Sequence, residues 1–303
     1  MNIPLPFPAK TGASSSAERT VAPLVLYHAG CPDGFGAALA AWLALGDTAE
    51  YREVGKFEVL PENAQGREVF LLDFAYVPDV MHTLGTLASS LTVLDHHATS
   101  AERLARFKPL CCGKVHIELG KSGAVLAWEH FHPGVSLPYL YQCIQSRDLW
   151  RWDVPHDREF LAWLDAQPKT FEAWSQALRS EGAQREEQVR LGHALNQQFE
   201  QQCQAIAATA APLTLCGQAG LVVNSPHAFA SVVGDILNKR CGTFGLVWSI
   251  TPDGMVRCSL RSKAPFDARG IAEQFGGGGP PQAAGFALPR HRLLQLLDGE
   301  LNV

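Results

Sequence analysis

The chain has 303 residues, 47% of them hydrophobic and 18% charged, the make-up of a globular protein with apolar mass for about two domains. Its formal net charge of -5 argues against a protein that coats long nucleic acid, which needs a basic surface, but not against a small phosphorylated ligand held by local cations. Eight cysteines, single apart from Cys111-Cys112 and lacking a C-x-x-C pair, exclude a disulfide framework or a structural zinc site and fit reduced thiols.

Residues 1–20 are rich in Pro, Ser and Ala, and lack both a basic start and an apolar segment. The expectation is a disordered tail rather than a secretory signal. No apolar run is long enough to cross a membrane, so the chain is expected in the cytoplasm with no membrane partner.

From Pro23 the pattern alternates. Pro23-Leu-Val-Leu-Tyr27 is a short apolar run that reads as a buried strand and ends at His28-Ala-Gly-Cys31-Pro-Asp33-Gly34. Phe35 to Leu45, rich in Ala and Leu, reads as a helix whose N-terminus favours anions. Tyr51–Val54 is a further candidate strand. Val69-Phe-Leu-Leu72 is another and ends at Asp73, and Val77-Pro-Asp79 starts a helix toward Ala88. Leu91-Thr-Val-Leu94 then delivers Asp95-His96-His97, where an Asp can accept a ring N–H and orient a ligating His. Alone, that ending reads equally as a polar loop. Three strands that each end in a carboxylate or imidazole describe a site, because open parallel sheets bind ligands at the carboxyl ends of their strands. The alternation predicts an α/β unit with a largely parallel sheet.

Further on, Ser122 can cap a helix through Phe131, and Leu137, Leu140, Tyr141 and Ile144 share one helical face. Asp148 follows in Ser146-Arg-Asp148-Leu-Trp150-Arg-Trp152, and its local reading is an exposed acid in a helix-ending turn, with both tryptophans as packing residues. From Glu172 to about residue 211 the chain is Gln-, Glu- and Ala-rich without Pro, which predicts a helical connector with Leu191, Leu195 and Phe199 on its buried stripe. Leu221–Val223, Phe244–Trp248 and Val256–Leu260 read as strands, with a helix from Ser231 to Lys239. Arg261-Ser262 comes off the last of these. Gly276-Gly277-Gly278-Gly279 then reads as a loop whose bare backbone N–H groups suit a phosphate or ribose.

Asp95-His96-His97 behind an apolar strand, with Gly276–Gly279 and Ala283-Ala284-Gly285-Phe286 downstream, resembles the DHH phosphoesterase family with its DHH-associated second domain. The resemblance runs from about residue 21. It implies a catalytic domain over 21–171, the connector over 172–212 and a smaller α/β substrate-binding domain over 213–303. Ser259-Leu260-Arg261-Ser262 brings it closest to the members that cleave oligonucleotides and 3′-phosphonucleotides.

The resemblance further implies two Mn²⁺ or Mg²⁺ ions. His28 and Asp73 match the ligands of one, with Asp73 bridging; Asp33, His96 and Asp148 match the shell of the other, against the local reading of Asp148. His97 matches the catalytic histidine on the scissile phosphate, and Arg261, Ser262, Gly277, Gly278 and Gly279 match the substrate-gripping part. Two positions depart from the family: Cys31 stands where an Asp is usual, and Pro280 where a His follows the glycines. The expected activity is hydrolysis of a short nucleotide (a nanoRNA, a linear dinucleotide or a 3′-phosphonucleotide) by an activated water. The alternative is a nucleotide-binding protein on the same scaffold whose chemistry is impaired by Cys31 and Pro280. A pyrophosphatase-like enzyme shares the first domain but not the glycine loop.

Overall fold

Short runs of β-branched residues and leucine cannot hide their apolar faces alone, and in the computed structural model they become the inner strands of two sheets. The structure describes residues 21–55, 60, 63–108 and 111–301; the tail expected over 1–20 lies outside them. The chain divides into two compact units, one reaching to Leu195 and the other running from Asn196.

In the first unit β1 (Leu24–His28), β2 (Glu50–Val54), β3 (Glu68–Leu72), β4 (Ser90–Asp95) and β5 (Cys112–Ile117) form a five-stranded sheet in the order β2-β1-β3-β4-β5. Every pairing is parallel. Side chains alternate across the strands, so Leu24 and Leu26 enter one core and Val25 the other. The Leu24 side is covered by α2 (Pro78–Leu87) through Met81 and Leu84. The Val25 side is covered by α1 (Pro32–Leu45), α4 (Gly123–Phe131), α5 (Tyr139–Asp148), α6 (Asp157–Asp165) and α7 (Phe171–Arg179). A short α3 (Ala98–Leu104) follows β4.

The second unit holds a mixed sheet of β6 (Ala211–Leu215), β7 (Gln218–Asn224), β8 (Phe244–Ile250), β9 (Met255–Ser262) and β10 (Ala283–Pro289), ordered β10-β9-β8-β7-β6. Only β7 and β8 pair in parallel, through the crossover helix α9 (Ala230–Cys241). Two short helices, α10 (Arg269–Gln274) and α11 (Leu293–Leu297), complete it.

The stretch from Glu172 to residue 211 is mostly helical, as α7 and then α8 (Gly182–Ala208), with a break at Ser180, whose backbone is extended. The stripe differs from its expectation: Leu191 and Leu195 are 43% and 40% exposed. The first turns of α8 pack within the first unit through the bare Gly192, where a Cβ would collide with the Glu159 carbonyl, and through the buried Gln188. Close backbone approach, rather than leucine burial, sets that contact. No helix among the described residues is long and apolar enough to cross a membrane.

Candidate metal centre

The strand order reverses between β1 and β3, since β2 lies outward on one side of β1 and β3 on the other. Such a switch point opens a crevice at the carboxyl ends of the strands. β1 delivers His28 there and β3 delivers Asp73. Asp73 has φ 64°, a left-handed conformation that Asp adopts more readily than most residues, and it breaks the strand's alternation at that point. Its N–H still donates to the Leu94 carbonyl at 2.8 Å, so the turn is tied to β4.

Asp33 lies in the first turn of α1 and is 1% exposed. Its carboxylate accepts the N–H groups of Gly123 at 2.7 Å and Ala124 at 3.0 Å, the free donors at the N-terminus of α4. Ser122 caps that helix, its hydroxyl accepting from the Val125 N–H at 3.4 Å. Gly123 leaves the space that Asp73 uses: a Cβ would fall 2.6 Å from Asp73 Oδ1. Ser122, Gly123 and Ala124 are site-building residues that the motif reading passed over. Their signal was a serine N-cap followed by glycine, which without a known partner marks only the start of a helix.

His96 occupies the centre. Its Nε2 is 3.2 Å from Asp73 Oδ1, 3.4 Å from Asp148 Oδ2 and 3.6 Å from Asp33 Oδ2. Burial alone would depress its pKa, but the three carboxylates raise it to about 9. Burial and the neighbouring carboxylates push Asp33 well above the ordinary range, and burial also raises Asp148. Burial would raise Asp73 as well, yet the imidazoles of His28 and His96 hold it below the ordinary range. His28 Nδ1 lies 3.3 Å from Asp73 Oδ2. Asp148, the last residue of α5, is an exposed acid at a helix end as its local reading has it, and tertiary contact adds that its side chain, a quarter exposed, faces this cluster.

Asp95 is fully buried, and its Oδ1 accepts the His96 N–H at 2.7 Å, the His97 N–H at 3.2 Å and His97 Nδ1 at 2.7 Å. Holding Nδ1 leaves His97 Nε2 as the free ring atom, on a side chain 42% exposed. Burial lowers the His97 pKa, but Asp95 outweighs it, so the net shift is upward and toward imidazolium.

Three donor groups therefore share one crevice: His28, Cys31 and Asp73; Asp73, His96 and His97; and Asp33, His96 and Asp148. In each, donor atoms lie within 4.8 Å of one another. Asp73 Oδ1 is buried without a hydrogen-bond partner, although His96 Nε2 is 3.2 Å away. A buried carboxylate oxygen left unpartnered among other carboxylates calls for a cation, and imidazole with carboxylate suits Mn²⁺ or Mg²⁺. The residues fit divalent metal, with Cys31 the one soft donor.

The remaining residues singled out in the sequence lie in the second unit. The half-buried Arg261 guanidinium donates to Ser231 Oγ at 2.7 Å, Leu260 O at 2.9 Å and Ser259 Oγ at 3.0 Å. Among the described residues no carboxylate forms an ion pair with it. The Ser262 hydroxyl donates to the Phe266 carbonyl at 3.0 Å, which commits it within the unit. The glycine run differs from an open cradle. The N–H groups of Gly276, Gly277 and Gly278 donate to Glu273, Ala272 and Gly285, and a Cβ on Gly277 would collide with the Gly285 carbonyl. Gly279, at φ 135°, leads into a turn in which the Ala283 N–H donates to the Pro280 carbonyl at 3.1 Å. These glycines serve close packing against β10 first.

Residues 221–302 match the DHHA1 domain. That match begins within β7 and covers β8, β9 and β10 of the second unit. Over 295 residues the chain is 27% identical to the uncharacterized protein R106 of Acanthamoeba polyphaga mimivirus, covering 87% of this chain and 67% of that protein. RecJ of Thermus thermophilus, solved with Mn²⁺, is similar with a TM-score of 0.55 at 16% identity, over 93% of this chain and 52% of RecJ. The chain thus spans about half of RecJ, and the likeness is one of fold. The pGpG-specific phosphodiesterase PggH of Vibrio cholerae aligns with a TM-score of 0.48 at 12% identity, over 90% of this chain and 95% of PggH.

Proposed function

We propose that the protein is a DHH-family phosphoesterase that uses divalent metal to hydrolyse a phosphoester bond in a short nucleotide. The observation that carries this reading is the Asp73 carboxylate, buried and belonging to two donor groups at the switch point of a parallel sheet. The DHHA1 match and the RecJ-like fold support it, as does the presence of Mn²⁺ in the RecJ structure.

In this reading His28 and Asp73 hold one ion, and Asp33, His96 and Asp148 hold a second. When bound, Mn²⁺ or Mg²⁺ supplies Lewis acidity toward a phosphoryl oxygen and toward water. The protein's own groups do the rest. The α4 N-terminus holds Asp33 in place, Asp95 fixes the His97 ring, and His97 Nε2 donates to a phosphate oxygen. Arg261, held by serines and a carbonyl rather than by a carboxylate, keeps its positive charge available for a phosphate. A net charge of -5 favours a short substrate over a long duplex.

The test is a hydrolysis panel on metal-free protein with added Mn²⁺ or Mg²⁺. It sets 5′-labelled di- to pentanucleotides beside a 3′-phosphonucleotide, a cyclic dinucleotide and pyrophosphate. Metal-dependent cleavage of a short linear nucleotide is expected. Silence across the panel with nucleotide binding retained would replace this reading by that of a non-hydrolytic nucleotide-binding protein, and preferred cleavage of pyrophosphate would replace the substrate class.

A further inference from the structure

Seven of the eight cysteines have a plain place in the fold, or none that bears on the crevice; Cys143, Cys203 and Cys258 are core residues, at most 1% exposed. Cys31 is different. It is only partly buried, it precedes α1 in the N-cap position, and its side chain makes no capping hydrogen bond. The Gly34 N–H is the capping donor that faces the sulfur, and core packing does not account for a side chain left partly exposed.

Its position is rigid. The backbone at Cys31 is extended, at φ -110° and ψ 132°, and its carbonyl accepts the Phe35 N–H at 3.1 Å. One turn later Gly34 packs so tightly on the end of β1 that a Cβ would collide with the His28 carbonyl. The start of α1 is thereby locked to the residue at which β1 ends. The Cys31 sulfur, a His28 ring nitrogen and an Asp73 carboxylate oxygen lie within 4.8 Å of one another. Asp73 is 1% exposed and lies between the two groups, its Oδ2 3.3 Å from His28 Nδ1 and its Oδ1 3.2 Å from His96 Nε2, with no hydrogen bond on Oδ1 by full geometry.

We propose that Cys31 is a metal ligand, completing with His28 and Asp73 a mixed sulfur–nitrogen–oxygen site that prefers softer divalent cations such as Co²⁺ or Cd²⁺ over Mg²⁺. The inference rests on the metal-centre reading above and deepens it by giving the two ions different chemistries. The second group, Asp33, His96 and Asp148, offers only oxygen and nitrogen, which suits a hard cation. On binding, the S–H proton passes to solvent as the sulfur–metal bond forms, and no electrons change hands. The site thus binds one proton fewer when loaded, and its occupancy rises with pH.

The experiment titrates the metal-free full-length protein with Co²⁺ under reducing, oxygen-free conditions. A thiolate ligand adds an intense near-ultraviolet charge-transfer band to the weak visible absorption of Co²⁺. The expected result is that band in the parent protein and its loss in Cys31→Ser, with visible Co²⁺ absorption retained. Serine is a favoured N-cap residue, so this variant keeps the start of α1, and an unchanged melting temperature verifies that. Cys31→Asp is expected to lose the band as well and to shift the preference from Cd²⁺ toward Mn²⁺ in competition dialysis. A band that persists in Cys31→Ser would assign the sulfur to another cysteine and overturn the proposal. Bound Co²⁺ with no band in the parent would overturn it equally. Failure of the parent to bind any Co²⁺ would overturn the metal-centre reading and this inference together. A protein that shows the Cys31-dependent band but cleaves nothing in the panel would uphold the inference while the proposed activity fell.

Discussion

In the first unit three carboxylates, Asp33, Asp73 and Asp148, surround the single nitrogen His96 Nε2 at 3.2–3.6 Å, and one buried oxygen among them has no hydrogen-bond partner. In the second unit Arg261 and Ser262 end β9 in a sheet of the same strand number, yet their side-chain donors are committed to serine hydroxyls and carbonyls, and three glycine N–H groups are committed as well. Burying like charges together is unfavourable without a counter-charge, and the raised pKa of His96 makes its imidazolium the one the chain itself supplies there. The second is settled by its own backbone and hydroxyls, with Arg261 held by serines and a carbonyl. The difference separates a unit whose clustered imidazoles and carboxylates could hold a metal ion from one whose donors are committed to its own backbone and hydroxyls.

The largest effect expected from breaking this contrast is at Asp73. Asp73→Ala removes the carboxylate shared by two donor groups, and loss of metal-dependent charge stabilisation predicts roughly a thousandfold fall in kcat/KM. Equilibrium dialysis on the same variant should show less metal bound per chain. Activity within a few-fold of the parent would mean that the crevice does not work as one centre.

Gly123→Ala tests whether the first turn of α4 shapes the centre. Alanine is the better helix former, but its Cβ would press on the Asp73 carboxylate, 2.6 Å from Oδ1. A loss of activity of about 10- to 100-fold is expected, the range seen when groups that orient metal ligands are disturbed. Circular dichroism should show the helix content kept, which would locate the effect in the centre rather than in folding.

The matching change in the second unit should behave oppositely. Gly277→Ala places a methyl against the Gly285 carbonyl and Phe286, and overpacking of that kind costs about 1–3 kcal/mol of stability. Urea unfolding measures it, while Co²⁺ binding in the first unit should be unchanged. Stability equal to the parent would show that the glycine run is free of the packing role assigned here.

The smallest effect sharpens the comparison within the first unit. His132 is buried at the C-terminal end of α4, stacks on Trp128, and donates Nε2–H to the Ala40 carbonyl at 2.9 Å. Burial lowers its pKa, opposite to His96 and His97, because no carboxylate offsets the desolvation. The folded protein therefore binds fewer protons than the unfolded chain at acid pH. The stability His132 contributes is fully present above the unfolded value of about 6.5 and is lost as pH falls through its lower folded value. His132→Gln keeps a donor and removes the titration, so its stability should decline less steeply from neutral pH downward, as read by urea midpoints. Parallel declines in parent and variant would assign the acid sensitivity to other groups.

Much of this was written in short-range pattern. The apolar runs at Pro23–Tyr27, Val69–Leu72 and Leu91–Leu94 became inner strands because burial on both faces demands continuous hydrophobicity. The Ser122 cap and the α4 helix were equally plain. Edge elements were not. β5, Cys-Gly-Lys-Val-His-Ile, is mostly solvent-facing, and β6 carries Pro212, tolerated only because the strand lies at the sheet edge. Neither announces itself when the signal sought is an alternating or continuous apolar run.

The sequence by itself determined the chemistry available. Imidazoles, carboxylates and one thiol follow strand and helix ends, and the order of the motifs pointed to a phosphoesterase scaffold. It also determined which strands had to be interior, since their side chains admit no other environment. Only the tertiary structure decided that Asp148, an ordinary exposed acid by its neighbours, faces His96, and that the α4 N-terminus holds Asp33 from 90 positions further along the chain. It alone showed the glycine N–H groups already engaged, because that depends on how the run folds back onto β10. Local propensity carries no information about such partners, since long-range register is set by how sheet and helices pack rather than by any single segment.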